Sequence, residues 1–266
     1  MKILVPTDLS ENASNALNFA KSYAKLQNAS ITLLYSYYAV YDFAAQAAEI
    51  IQTIESDAKT ALKKEIKKSG GEISINYKIV QGTVSTSILA TVLNGDYDLI
   101  IMGTQGASGI KKTLIGSNTA TAVRESEVPI IAVPAGATFE NIKEIKVALE
   151  LENENEGMFK KLIELTETWN LPYRVLHVET KSDFNKNLLF KGMEKYLEES
   201  FPDSDFDFEL ISSEDPDEGL DDYLKEKTDS LLVMFSKNKT FFEFLFNKSH
   251  SVKMVYHTHI PLLVIK

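Results

Sequence analysis

The order of apolar runs in this 266-residue chain occurs twice, and that repetition restricts the possible folds more than any single motif. Leu99-Ile100-Ile101-Met102 precedes Leu231-Leu232-Val233-Met234 by 132 residues, and Val128-Pro129-Ile130-Ile131 precedes Ile260-Pro261-Leu262-Leu263 by the same distance. Nearer the N-terminus, Lys2-Ile3-Leu4-Val5 aligns with Lys146-Val147-Ala148-Leu149 and Leu33-Leu34-Tyr35 with Val175-Leu176-His177, after small changes of offset at the loops. A spacing kept across separated runs marks a tandem duplication. The boundary is expected near Ala135-Gly136-Ala137-Thr138, just past Pro134, giving domains 1–137 and 138–266. No low-complexity linker separates the halves, so they are expected to pack against each other.

Within each copy, short aliphatic runs alternate with segments of helical period. Lys2-Ile3-Leu4-Val5 reads as a strand; Ser10-Glu11-Asn12 then opens a helix with Ala13, Ala16, Leu17, Ala20 and Tyr23 on one face. Ile31 to Tyr35 reads as a second strand, Phe43 to Lys68 as a long helix closed by Ser69-Gly70-Gly71, and Ile73 to Val80 as a third strand. Ser85 to Leu93 and Ser117 to Arg124 read as helices, with strands at Asp98 to Met102 and Pro129 to Val133. This alternation predicts the α/β class: two tandem domains, each an open, five-stranded, mostly parallel sheet flanked by helices.

Charge and glycine divide unevenly between the halves. The formal net charge of −10 argues against a surface that tracks nucleic-acid phosphates. Residues 1–140 carry 12 basic and 13 acidic side chains, against 16 and 25 in residues 141–266. Nine of the 12 glycines lie in the first part, and all four histidines in the second. A site that needs a flexible backbone therefore belongs to the first half and works without histidine. With no cysteine, disulfides, thiolate metal sites and cysteine nucleophiles are excluded. The N-terminal apolar run is too short for a signal peptide, and no segment approaches the ~18 apolar residues of a spanning helix. A cytoplasmic protein with no membrane partner is expected. The acidic stretches Glu150–Glu156 and Asp203–Asp222 read as solvated loops and helix faces.

The richest segment runs from Met102 to Thr119, between a predicted strand and a predicted helix. Gly103 and Gly106 are separated by two residues, and nine more lead to Gly116-Ser117. Glycines in such a crossover let the main chain approach a polyphosphate, while amides at the following helix start point toward the anion. Ser117, Asn118 and Thr119 add hydroxyl and amide donors there. A Walker-type loop is a poor fit, since five residues separate Gly103 from Gly109 and Ile110 follows; the opening Gly-x-Gly of a dinucleotide fingerprint is missing too. The alternative is that these glycines merely serve turns.

With Gly103, Gly106, Gly116 and Ser117 in the pattern Gly-x2-Gly-x9-Gly-Ser, and Val5-Pro6-Thr7-Asp8-Leu9-Ser10 past the first strand, the chain resembles the universal stress protein family in its tandem form. The resemblance implies Rossmann-like domains and a site for ATP, or a related adenine nucleotide, at the carboxyl ends of the strands. It assigns nucleotide contacts to Pro6, Thr7, Asp8, Ser36, Met102, Gly103, Gly106, Gly116, Ser117, Asn118 and Thr119. Asp8 would accept hydrogen bonds from ribose or the adenine amino group, its alternative role being to cap the next helix. The backbone near Ser36 would meet the adenine edge, and the glycines with Ser117, Asn118 and Thr119 would hold the phosphates. Lys111 and Lys112 either screen phosphate charge or are simply solvated. Accompanying Mg would be held mainly by the nucleotide. The resemblance also implies pairing of the halves about a pseudo-two-fold axis, with strands Pro129–Val133 and Pro261–Ile265 near the interface; an intramolecular pseudo-dimer and a homodimer of chains are both compatible with it.

The second copy reads as degenerate. At the offset of 132, Gly103-Thr104-Gln105-Gly106 becomes Phe235-Ser236-Lys237-Asn238, and Gly116-Ser117 becomes Lys248-Ser249. In the sequence alignment Asp8 meets Glu152 and Pro6 meets Glu150. The stretch Phe241 to Phe246 either fills the vacated cleft or forms a contact surface. His250, His257 and His259 lack cysteine or carboxylates at ligand spacing, and His177 reads as a packing residue. Three function classes follow: a nucleotide-binding stress-response protein with one site in the first half, a nucleotide-independent scaffold, or an enzyme. The last lacks an evident base, so catalysis is expected to reach no further than slow ATP hydrolysis.

Overall fold

The computed structural model describes residues 1–38, 44–105, 116–151, 155–235 and 259–266. These residues fall into two compact units, the first running to Phe139 and the second from Glu140.

The first unit runs β1 (Lys2–Thr7), α1 (Glu11–Gln27), β2 (Ser30–Tyr37), α2 (Ala44–Lys68), β3 (Ile75–Gln81), α3 (Val84–Leu93), β4 (Leu99–Gly103), α4 (Ser117–Glu125) and β5 (Ile130–Val133). Its strands lie in the order β3-β2-β1-β4-β5, with parallel pairing. Ile3, Leu4 and Val5, and Leu99, Ile100 and Ile101, are fully buried, as expected of central strands covered by helices on both faces. Helix α1 starts where the Ser10 hydroxyl accepts a hydrogen bond from the Ala13 amide, and it ends at Asn28, in the left-handed region at φ 50°. Its buried stripe is Ala13, Ala16, Leu17, Phe19, Ala20, Tyr23 and Ala24. The expected stop after α2 is present, with Gly70 and Gly71 both at positive φ. Phe43, the expected start of α2, lies outside the described residues.

The second unit repeats the plan: β6 (Glu144–Ala148), α5 (Glu156–Thr166), β7 (Tyr173–Glu179), α6 (Phe184–Ser200), β8 (Phe206–Ser212), α7 (Pro216–Leu224), β9 (Ser230–Phe235) and β10 (Leu262–Ile265). Its order, β8-β7-β6-β9-β10, is that of the first unit, again with parallel pairing. The duplication inferred from apolar runs is thus a duplication of topology.

Strand register corrects one alignment. Ile3 pairs with Leu99 in the first unit and Ile145 with Leu231 in the second, so Ile3 corresponds to Ile145 rather than to Val147. The sequence alignment had slipped by two residues. A slip of two preserves which face each side chain occupies, so apolar patterning cannot detect it, and the matching lysines Lys2 and Lys146 favoured it. The turns agree with the new register: Leu9 and Leu151 both sit at φ 64°, each just past the end of its strand. Asp8 therefore corresponds to Glu150, not Glu152, and Pro6 to Ala148, not Glu150. Glu152 itself lies outside the described residues.

The same shift puts Lys146 at the place of the fully buried Leu4, and Lys146 is only 1% exposed. It is compensated by an ionic network. Lys146 and Arg174 both hydrogen-bond Glu144, Arg174 also reaches Asp207 at 2.5 Å, and the Tyr223 hydroxyl donates to Glu209 at 2.7 Å. Burial raises the Glu144 pKa, but the bonds from Lys146 and Arg174 outweigh it and hold the carboxyl below the usual carboxylate range. Burial pushes the Tyr223 phenol up, and its bond to the Glu209 carboxylate adds to the rise.

Candidate functional site

In an open parallel sheet, the loops at the carboxyl ends of the strands meet at one edge, and the crevice where the strand order reverses is the natural ligand site. In the first unit the reversal is at the neighbours β1 and β4, and the motif residues converge there. The β1–α1 turn is held by its own side chains. The Thr7 hydroxyl accepts from the Leu9 amide at 3.0 Å, and Asp8 Oδ1 accepts from the Ser10 amide at 3.0 Å. Ser10, rather than Asp8, caps α1 through its side chain. Asp8 is exposed at this edge, while Pro6 and Met102 are buried beneath it.

Gly103 ends β4 against the first turn of α1: a Cβ there would lie 3.2 Å from the Asn12 carbonyl oxygen, closer than ordinary contact. Its carbonyl accepts from the Thr119 hydroxyl at 2.9 Å, and the Thr119 side chain is buried. Gly116 is the N-cap of α4 with an ordinary backbone, φ −62° and ψ 153°. Its amide donates to the Thr104 carbonyl at 2.6 Å, and a Cβ would sit 3.1 Å from that oxygen. Close approach, not unusual dihedrals, thus explains glycine at both positions. Among the described residues no side chain caps α4, whose first helical bond runs from the Ala120 amide to the Gly116 carbonyl. The amides of Ser117, Asn118 and Thr119 therefore have no acceptor within the helix, and the partial positive charge of its N-terminus is presented at the sheet edge. Ser117 and Asn118 are exposed.

Ser36, near the end of β2, pairs in register with Val80 of β3. Thus the structure brings Pro6, Thr7, Asp8, Ser36, Met102, Gly103, Gly116, Ser117, Asn118 and Thr119 to one edge. Gly106, Lys111 and Lys112 lie outside the described residues. Two features escaped the sequence reading. The start of α3 adjoins that of α4, with Ser85 Oγ 3.4 Å from Asn118 Oδ1; the Gly82-Thr83 pair after the third strand was the available signal. Thr104 is 3% exposed, its hydroxyl has no hydrogen-bond partner among the described residues, and its carbonyl positions Gly116.

The corresponding edge of the second unit differs among the described residues. Phe235, at the place of Gly103, packs its ring on Phe159 of α5 at 4.9 Å, edge to face. His177 is buried, its Nδ1 2.8 Å from the Leu149 carbonyl oxygen, and it packs beside Phe190, a structural position as expected. His259 Nε2 meets the Lys227 carbonyl at 2.7 Å. Phe241 to Phe246, Lys248, His250 and His257 lie outside the described residues. Among the described residues, no group of three or more His, Asp or Glu side chains is arranged to hold a metal ion, and no helix is long and apolar enough to cross a membrane.

The model of the universal stress protein family matches residues 1–134, half of the chain. The chain belongs to the universal stress protein family. Universal stress protein MJ0577 of Methanocaldococcus jannaschii is 28% identical over 151 residues, covering 50% of this chain and 93% of that protein. A putative universal stress protein of Staphylococcus saprophyticus is 30% identical over 141 residues, covering 49% of this chain and 81% of its own. A solved universal stress protein from Archaeoglobus fulgidus matches the fold over the whole chain, with TM-score 0.73 at 18% identity, covering 98% of that structure. Relatives that span half of this chain, beside one that spans all of it, fit the tandem form of a universal stress protein.

Proposed function

We propose that the first unit binds one adenine nucleotide, ATP or a close relative, and that the second unit is a degenerate copy without a site of this kind. The observation that carries this reading is the uncapped N-terminus of α4 set behind the side-chain-free edge of Gly103 and Gly116, with the Asp8 carboxylate one strand away. The amides and hydroxyls of Ser117, Asn118 and Thr119 hold the outer phosphates, while Gly103 and Gly116 let the β4 end and the α4 start pack closely against the Asn12 and Thr104 carbonyls, which sets those donors at the sheet edge. Asp8 accepts from the ribose or the adenine amino group, and the β2 backbone at Ser36 meets the base. Magnesium, when it accompanies the nucleotide, is coordinated mainly by phosphate oxygens. The function is binding that sets a conformational or assembly state in a cytoplasmic stress response; the first unit has no histidine to serve as a general base.

In the second unit Phe235 occupies the place of Gly103, although a carboxylate, Glu150, is retained at the position equivalent to Asp8. Mass spectrometry of the denatured protein for a copurified nucleotide, followed by calorimetric titration with ATP, tests the reading. One site per chain is expected. Two equivalent sites would refute the degenerate second copy, and no binding would leave the nucleotide-independent scaffold.

A further inference from the structure

Helix α1 touches the candidate site at one end and the exit from the first unit at the other. Its N-terminal turn is built from Asp8 and Ser10, and its Asn12 carbonyl lies against Gly103. One turn further on, Asn15 Nδ2 donates to two carbonyls, Pro134 and Ala137, each at 3.1 Å. Those carbonyls are the two ends of a four-residue turn, closed by the Ala137 amide donating to Pro134 at 3.2 Å and made possible by Gly136 at φ 77°, its third residue. One amide group thus holds both ends of the turn by which the chain leaves the first unit. One and two turns further along α1, Phe19 and Tyr23 meet the ring of Phe139 edge to face, at 5.4 Å and 6.1 Å.

Phe139 is the last residue of the first unit, and within four residues the Lys143 amide is bonded to the Asp229 carbonyl of the second. A single 3-10 turn, Phe139–Asn141, begins at the first anchor and ends two residues before the second.

We propose that α1 is a coupling element: a ligand that orders its N-terminus at Asp8 and Gly103 tightens the grip of Asn15, Phe19 and Tyr23 on the 134–139 junction and so stabilises the second unit. The ligand part rests on the nucleotide reading above; the mechanical part does not. Of the free energy of binding, the fraction spent on ordering α1 reaches the junction because the same rigid helix carries both sets of contacts. This gives the second copy, which lacks a glycine edge of its own, a response to the nucleotide.

The chain contains one tryptophan, Trp169, 8% exposed in the second unit, so its fluorescence reports unfolding of that unit. Urea unfolding of the full chain is followed at Trp169 with and without ATP at a concentration shown by calorimetry to saturate. Saturation is expected to raise the Trp169 midpoint. Asn15→Ala and Phe139→Ala are expected to keep ATP affinity within about threefold while cutting that rise by about half or more. Asn15→Asp, which keeps the shape but loses the donor, is expected to behave as Asn15→Ala. A Trp169 midpoint unmoved by bound ATP, or a rise undiminished in these variants, would overturn the proposal. A second arm needs no nucleotide: Ser10→Ala removes the cap of α1 and is expected to lower the Trp169 midpoint in the parent, but less in an Asn15→Ala background. If ATP fails to bind and this arm holds, the nucleotide reading fails while the coupling stands; if Ser10→Ala leaves the midpoint unchanged, the coupling itself is wrong.

Discussion

Replacing Gly116 by Asp separates binding from folding, because the expected effect is small on stability and large on binding. Gly116 has φ −62° and ψ 153°, a backbone that any residue adopts, so no strain arises from the dihedrals. An added Cβ would lie 3.1 Å from the Thr104 carbonyl oxygen and 3.9 Å from Gln105 Cα, so the loop must give by a few tenths of an ångström. Against that small cost, aspartate is among the best N-cap residues, favoured over glycine by a few tenths of a kcal/mol, and its charge interacts with the helix dipole by about 0.3–1 kcal/mol. The ligand-free protein is therefore expected to unfold within about 1 kcal/mol of the parent.

Binding is expected to be affected far more, since the new carboxylate would occupy the amides that the proposed reading gives to phosphate. Like unit charges about 4 Å apart repel by about 4 kcal/mol at an effective dielectric constant near 20. That converts to a loss of roughly 10³-fold in affinity, before any steric block. Urea denaturation of the ligand-free proteins and calorimetric titration with ATP measure the two quantities. A stably folded Gly116→Asp protein with parental ATP affinity would show that the α4 N-terminus is not the phosphate site.

Asp8→Ala should weaken ATP binding by about 1.5–3 kcal/mol, the range for a hydrogen bond to a charged group, and titration of Asp8→Asn, which still accepts from Ser10, separates the charge from the turn bond at 3.0 Å. Thr119→Val removes the hydroxyl that donates to the Gly103 carbonyl at 2.9 Å, and should cost about 1 kcal/mol in urea unfolding while loosening the site. Glu144→Gln deprives buried Lys146 of its counter-charge and should destabilise by about 1–3 kcal/mol near neutral pH. Because the folded-state pKa of Glu144 is depressed, its contribution is present above the unfolded value near ~4.3 and is lost as pH falls through the folded value. Urea midpoints of parent and variant should accordingly converge below that pH; a gap that stays constant down to pH 3 would contradict the network's role.

Much of the fold was legible because parallel strands covered on both faces demand continuous aliphatic runs, and the runs of this chain recur at a constant spacing. The sequence by itself determined the α/β class, the duplication and the stop at Gly70-Gly71, and it singled out the segment from Gly103 to Thr119 as the candidate site. These are local consequences of residue type, periodicity and spacing. Tertiary structure alone decided matters that depend on register and on distant contacts. Strand pairing moved the equivalent of Asp8 from Glu152 to Glu150, because a two-residue slip leaves facing unchanged and the register against the neighbouring strands distinguishes the alternatives. It likewise placed Lys146 in the core at the position of Leu4, where its counter-charge is Glu144 on its own strand, a carboxylate shared with Arg174 of β7, which in turn pairs with Asp207 of β8. Asn15 reads in sequence as one more polar residue of an amphipathic helix, yet its two acceptors lie 119 and 122 residues away. Contacts of that range are set by how the chain closes on itself, and no local pattern encodes them.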